Sequence, residues 1–198
     1  MLKNLPKTFV LMDQYNSHIF KNNKKNIGVI YRNYNSANRE KELIKVALAC
    51  KKKRYKLFVS NDIKLMFKVK ADGIYVPSFN KTKKFQNLEK KNIIIIGSAH
   101  NHKEIQEKVL QKCKIIFIAP IFYVKKSDNY LGIHKFNFLS RSVKTNICAL
   151  GGINQNNIKK LNLLAVKGFA GISIFQKKNR PFKGRFFKEL NLLNLLER

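Results

Sequence analysis

Between Cys148 and Phe175 the chain reads CALGGINQNNIKKLNLLAVKGFAGISIF, and its first corner has the makings of an anion site. The apolar run at 146–150 has the character of a strand buried on both faces, and Gly151-Gly152 then removes both β-carbons where the chain must turn. Backbone N–H groups can approach an oxyanion closely there. Asn154 is placed to cap a helix with apolar positions Ile158, Leu161 and Leu164 to Val166. Gly168 would end that helix, and 169–175 would form the next strand. The same corner also reads as an ordinary glycine-rich turn without a ligand.

Other polar residues of matching chemistry each follow a short apolar run. They are Asp13, Arg32 and Asn33, Asn61 and Asp62, Ser98 and His100, and Lys125 and Lys126 within the loop 120–132. Gly151, Gly152, Phe175 and Gln176 complete the set. With few acids and several bases, the set suits a phosphorylated or pyrophosphorylated small molecule better than a sugar or a peptide.

The elements that must position these groups are eight short apolar runs, at 9–12, 27–31, 57–59, 73–76, 93–96, 115–118, 147–150 and 171–175. Helical patterns fill the gaps at 37–52, 103–111 and 154–166. Such alternation means parallel strands with crossover helices, and eight units close into a (β/α)8 TIM barrel. The chain is short for that fold, so the helices after the third and fourth strands must be reduced. A doubly wound open sheet is the alternative. If the barrel forms, the polar residues above gather at the carboxyl ends of its strands, where barrel sites lie.

A length of 198 residues fits one domain spanning 1–198, and no repeat, low-complexity tract or linker divides it. The formal charge of +30 would ordinarily point to nucleic acid, an anionic membrane or a polyphosphate. Lys, Asn and Ile are over-used together, as an AT-rich coding sequence would produce, and the lysines are scattered apart from runs such as 51–54. Nucleic acid is therefore the weaker expectation. Three cysteines, odd in number and set in apolar sequence, read as buried reduced thiols, which fits the cytoplasm. The apolar run before Asp13 is too short for a signal-peptide core, and no segment reaches the length of a membrane span.

The order of motifs from Phe9 to Phe175 resembles the thiamine-phosphate synthases and their TenI-like relatives. Asn61-Asp62 and Ala71-Asp72-Gly73 are similar to the family's Asn-Asp loop and the Ala-Asp-Gly opening its fourth strand. Ser98-Ala99-His100 is similar to its Ser-x-His, and Ala119-Pro120-Ile121-Phe122 to its Gly-Pro-x-Phe. Leu150-Gly151-Gly152-Ile153 resembles its Gly-Gly-Ile phosphate corner, and the residues from Gly168 to Ser173 the strand that follows. Arg32, Ser98 to His100 and Ala149 to Asn154 most resemble a divergent branch found in alphaproteobacteria.

The resemblance implies a transferase that joins hydroxymethylpyrimidine pyrophosphate to thiazole phosphate, releasing pyrophosphate with Mg2+. On that pattern Arg32 binds pyrophosphate, Asp62 ligates the metal, and Lys125 or Lys126 holds the leaving group. The backbone at Gly151, Gly152, Phe175 and Gln176 cradles the thiazole phosphate, Asn61 and His100 bind substrate, and Ser98 joins Arg32 and the loop lysines in the catalytic set. Two departures stand out. Val76-Pro77-Ser78-Phe79-Asn80 carries Asn80 where the family places a second metal-binding aspartate, and the second-strand motif keeps only its arginine. The TenI-like tautomerases use a histidine after the sixth strand, where this chain has Pro120.

Several residues carry a second reading. Asp62 is equally a helix N-cap. His100 is equally a polar group opening the helix that contains Glu104, and the two lysines equally solvated surface groups. At the level of function, the alternatives to a transferase are a non-catalytic protein that binds a thiazole or thiamine phosphate, and a basic nucleic-acid-binding protein. Oligomeric state is not readable from the sequence.

Overall fold

The computed structural model describes residues 5–21, 26–34, 36–125 and 128–176. Eight strands form one closed ring in sequence order: β1 (Thr8–Met12), β2 (Ile27–Tyr31), β3 (Lys56–Ser60), β4 (Gly73–Val76), β5 (Ile94–Ala99), β6 (Ile115–Ile118), β7 (Asn146–Leu150) and β8 (Gly168–Gly171). Every neighbouring pair is parallel, and β8 closes on β1 with Phe169 opposite Thr8. The TIM barrel expected from the alternation is therefore the fold, and the open sheet is excluded.

Alternation along the strands divides the core in two. Phe9, Leu11, Ile30, Phe58, Tyr75, Ile96, Phe117 and Cys148 belong to the cluster that fills the barrel. Phe9 meets Phe117 edge-on at 5.0 Å and lies 5.9 Å from Phe58, and Tyr75 lies 6.2 Å from Phe117. Gly28 on β2 is part of this packing, because a β-carbon there would collide with the Phe9 ring. The other strand face packs against helices α1 (Ser17–Lys21), α2 (Arg39–Lys53), α3 (Ile63–Lys68), α4 (His102–Leu110) and α5 (Gly132–Arg141).

As expected, the segments after β3 and β4 are brief: α3 has six residues, and a 3-10 helix at Gln86–Lys91 follows β4. Three local expectations are corrected. The helix over 154–166 is a 3-10 helix at Ile158–Leu163, and its buried residues Ile158, Leu161 and Leu164 recur every third position, the period of that helix. Gly168 opens β8 rather than ending a helix. It admits the Lys7 carbonyl, which accepts from Phe169 N–H at 2.9 Å. The last strand stops at Gly171, and α6 (Ser173–Gln176) takes the residues beyond, with Ile174 folded back over Gly171. Helix α5 has no counterpart in the sequence pattern, because Phe138 is exposed beside buried Phe136 and Leu139 and blurs the apolar stripe.

One strap outside the barrel bears on its mouth. Gly97 on β5 lacks the β-carbon that would sit 2.8 Å from Lys108 Cδ, so the Lys108 stem lies across the strand. Its fully buried ammonium donates to the Asn80 carbonyl at 2.8 Å and to Gln111 Oε1 at 2.9 Å. Gln111 Nε2 in turn donates to the carbonyls of Asn80 and Thr82 at 2.9 and 2.8 Å. Together they tie the loop after β4 to α4.

Among the described residues no helix is long and apolar enough to cross a membrane. Cys50, Cys113 and Cys148 are free and buried, as their setting predicted. Burial pushes the thiols of Cys50 and Cys113 up to about 12. The native state therefore keeps protons that an unfolded thiol releases above about 8.5, so stability falls as pH rises between those values. Each thiol should contribute a loss of about 1.4 kcal/mol per pH unit in that window. Burial lowers the pKa of Lys108 and acts in the opposite direction there. Urea midpoints between pH 8 and pH 10 should fall less steeply for Cys50→Ala/Cys113→Ala than for the natural chain; parallel slopes would refute the assignment.

Candidate active site

The position two beyond the last interior residue of a barrel strand aims inward at the carboxyl rim. From Ile30, Phe58 and Ile96 that step leads to Arg32, Ser60 and Ser98. Ser60 and Ser98 are buried. Tyr34 Oη lies 2.7 Å from Ser60 Oγ, and the Tyr75 hydroxyl hydrogen-bonds to Ser98. A layer of hydroxyl groups thus separates the aromatic filling from the rim. Burial pushes Tyr75 up to about 12 and raises Tyr34, with the serine hydrogen bonds pulling the other way. Both phenols stay protonated at neutral pH.

Arg32 follows β2 directly, and its backbone N–H donates to the Met12 carbonyl at 2.9 Å. Its Nε lies 3.9 Å from the exposed Asp13 carboxylate, a pair too open to hold the guanidinium firmly. A second arginine shares the rim. Arg39, in the first turn of α2, donates from Nη1 to Asp62 Oδ2 at 3.0 Å and from Nη2 to the Ser60 carbonyl at 2.8 Å. Arg39 thus reaches the residue whose hydroxyl meets Tyr34 Oη, and the charges of Arg32 and Arg39 both oppose the rise that burial gives the Tyr34 phenol.

Of the two readings of Asp62, the structure shows the N-cap: Oδ1 accepts from Leu65 N–H at 2.9 Å, opening α3, while Oδ2 is bound to Arg39. Asn61 adopts a left-handed backbone at φ 58°, donates its N–H to the Tyr75 carbonyl, and accepts from the Asn80 amide through Oδ1. Asn80 Oδ1 is turned back to accept from Thr82 N–H at 2.8 Å. His100 also shows its structural reading. Its N–H donates to Glu104 Oε2 at 2.8 Å, and its Nδ1 lies 2.7 Å from the Ala119 carbonyl. Lys125 is exposed, and Lys126 lies outside the described residues.

At the glycine corner the loop after β6 lies across β7. Ile121 N–H donates to the Leu150 carbonyl at 3.0 Å, and Phe122 N–H to the Gly151 carbonyl at 3.2 Å. A β-carbon on Gly151 would sit 2.8 Å from Pro120 Cα, and one on Gly152 2.5 Å from the Tyr123 carbonyl oxygen. Gly151 and Gly152 have φ of 92° and 71°. The Gly152 carbonyl accepts from Asn157 Nδ2 at 2.8 Å. With the carbonyls at 150, 151 and 152 all engaged, the corner has N–H groups left to offer a ligand. Leu150 pairs with Ala170, so the corner and the turn into α6 are neighbours at the same end of the barrel. Phe175 stacks its ring on Phe169 at 6.2 Å and donates its N–H to the Ile172 carbonyl at 3.1 Å; of Gln176 only the backbone is described.

The sequence matches the family profile "Thiamine monophosphate synthase" over residues 24–175. The chain belongs to the thiamine monophosphate synthase family. It is similar to a thiamine-phosphate synthase of Prochlorococcus marinus, with 32% identity over 148 residues, 71% of this chain and 42% of the relative. A thiamine-phosphate synthase of Pediococcus pentosaceus is 29% identical over 155 residues, 73% of this chain and 71% of the relative. The chain thus spans about two-fifths of the length of the Prochlorococcus protein. Among solved structures, a thiamine phosphate pyrophosphorylase from Pyrococcus furiosus superposes with a TM-score of 0.72 at 19% identity, over 90% of this chain and 92% of that one. That likeness is one of fold.

Sequence reasoning missed Arg39, Tyr34, Ser60 and Tyr75 in this thiamine monophosphate synthase family member. Arg39 did carry a signal. A cation in the first turn of a helix opposes the helix dipole, and such a violation of a local rule marks a residue held by something outside its helix. The crowding at the corner predicts that Gly152→Ala costs about 2–4 kcal/mol, combining a disfavoured φ with a collision against backbone. Gly132 has a φ of 66° but nothing within 4 Å of an added β-carbon, so Gly132→Ala should cost about 1 kcal/mol or less. Urea unfolding of the two variants decides it; equal losses would mean the β6 loop does not press on the corner.

Proposed function

We propose that this protein is a thiamine-phosphate synthase-type transferase, joining hydroxymethylpyrimidine pyrophosphate to thiazole phosphate. The observation that carries the reading is that one barrel mouth has Arg32 at the end of β2 and Arg39 at the end of β3, and the N–H-bearing corner between β7 and β8, which we read as two anion positions. A reaction between two phosphorylated molecules needs such a pair. The residue matches at Asn61-Asp62, Ser98 to His100 and Leu150 to Ile153 support it, as does the likeness of Arg32 and Ala149 to Asn154 to the divergent branch.

The chemistry asks little of acids and bases. The C–O bond to pyrophosphate breaks with its electron pair on the leaving oxygen, and the thiazole nitrogen lone pair forms the new C–N bond to the pyrimidine carbon. What the protein supplies is position and positive charge. Arg32 offers a planar fork to the pyrophosphate, and Lys125 or Lys126 stands in the β6 loop to join it. The corner at Gly151 and Gly152, with the backbone at Phe175 and Gln176, holds the thiazole phosphate. Ser98 and Tyr75 present hydroxyl groups beneath the reacting rings, and a cytoplasmic enzyme with phosphorylated small-molecule partners is the setting this requires.

Mg2+, implied by the family, does not fit the donors present. Both Asp62 oxygens are engaged, Asn80 replaces a carboxylate and turns to Asn61 and Thr82, and among the described residues no three acidic, His or Cys side chains cluster as a metal set. No step is therefore assigned to a metal. The loss of that carboxylate also favours a second reading, a non-catalytic protein that binds thiazole or thiamine phosphate.

Turnover separates the two. Wild-type protein given both phosphorylated precursors should form thiamine phosphate, and Arg32→Ala should lower kcat about 100-fold or more while thermal stability is kept. Absence of product at high enzyme concentration, with phosphate still raising Tm, would leave the binding protein in place of the enzyme.

A further inference from the structure

We propose that Arg39 stands where a divalent cation would otherwise act: the mouth grips the pyrophosphate end of its ligand with guanidinium groups, and Asp62 is the counter-ion that aims Arg39. The proposal rests on reading the mouth as a pyrophosphate site.

Arg39 is built in rather than draped on the surface. Its side chain is 19% exposed, and its two Nη groups are fixed by the Asp62 carboxylate and the Ser60 carbonyl. Its own carbonyl accepts from the Tyr31 hydroxyl at 3.0 Å, which secures the start of α2 to β2. A guanidinium has five N–H donors, and these contacts use two. Its Nε is buried with no hydrogen-bond partner. That donor is closed off from the mouth, so what Arg39 can offer a ligand is the donors left on its two Nη groups, on a side chain that keeps 19% exposure.

Asp62 is held just as firmly in a role other than metal ligation. Oδ1 is committed to the α3 cap and Oδ2 to Arg39. A dication at Asp62 would lie against the Arg39 charge already paired with it and would find no second carboxylate after β4, whereas a fixed guanidinium delivers its charge through N–H groups already pointed by their neighbours. Asn80 completes the change. Its amide donates to Asn61 Oδ1, and its loop is strapped down by Lys108 and Gln111, so the position after β4 is an anchored amide in place of a movable carboxylate.

The test is calorimetric titration of the full-length chain with inorganic pyrophosphate, in EDTA and in millimolar Mg2+. Binding should be present in EDTA and no tighter in Mg2+. Asp62→Asn keeps the N-cap, since Asn caps as well as Asp, but releases Arg39 from its counter-ion. It should tighten pyrophosphate binding in EDTA about three- to tenfold, the opposite of what loss of a metal ligand would do. Arg39→Gln should weaken binding about tenfold or more, and Arg39→Lys, which keeps the charge but not the fork, should fall between. Circular dichroism of each variant confirms the fold. Binding that appears only with Mg2+, or an Asp62→Asn variant that binds no better or worse, overturns this proposal and leaves the pyrophosphate site standing. No binding in either buffer overturns that site and this proposal with it.

Discussion

A closed ring of parallel strands must be filled from within, and that requirement governs what its mouth can be. Phe9, Phe58, Phe117 and Tyr75 do the filling, with Gly28 yielding its β-carbon so that the Phe9 ring fits. No ligand passes through such a plug, so chemistry is confined to the rim. Tyr75 belongs to both layers: its ring packs on Phe117, and its hydroxyl reaches Ser98. The depth and polarity of the floor are therefore set by core packing. A change in the plug reaches the site through Tyr75 without touching any rim residue.

The glycine corner shows how one sequence feature serves packing and binding together. Gly151 and Gly152 are required by the β6 loop, whose backbone occupies the space their side chains would fill. The same contact engages the carbonyls at 150 and 151, so the polarity left over is that of N–H groups. A turn without a ligand and an anion corner are thus not rival accounts. Packing of one loop on the next strand produces the geometry that an oxyanion can use.

The strands were legible because a barrel strand is apolar on both faces, and eight such runs at short intervals admit few folds. The brief segments after β3 and β4 followed from the spacing alone. What escaped were features decided by contacts between elements. The 3-10 geometry at Ile158–Leu163 turns on a three-residue spacing that a helical reading also accepts, and α5 is held by Phe136 and Leu139 despite an exposed Phe138. At the site, the positions that follow strand ends were found from order and residue type. The hydrogen bonds that fix Asp62 and His100 depend on partners distant in sequence, Arg39 for one and the Ala119 carbonyl for the other. Arg39 was not legible because it lies on a helix rather than directly after a strand.

Composition joins these points. Against 41 basic residues the chain has 11 acidic ones, and among the described residues Asp13, Glu40, Glu42, Asp62, Asp72 and Glu89 are in ion pairs. Surface pairs of this kind add little stability. Their consequence for the mouth is larger, because a carboxylate paired with a base has its negative charge offset and attracts a dication less. Where bases are abundant and acids scarce, a site that neutralises phosphate with arginine is easier to build than one that first collects carboxylates around a metal. The role of Asp62 follows the same logic: the scarce acid is spent on orienting a base, and the base faces the ligand.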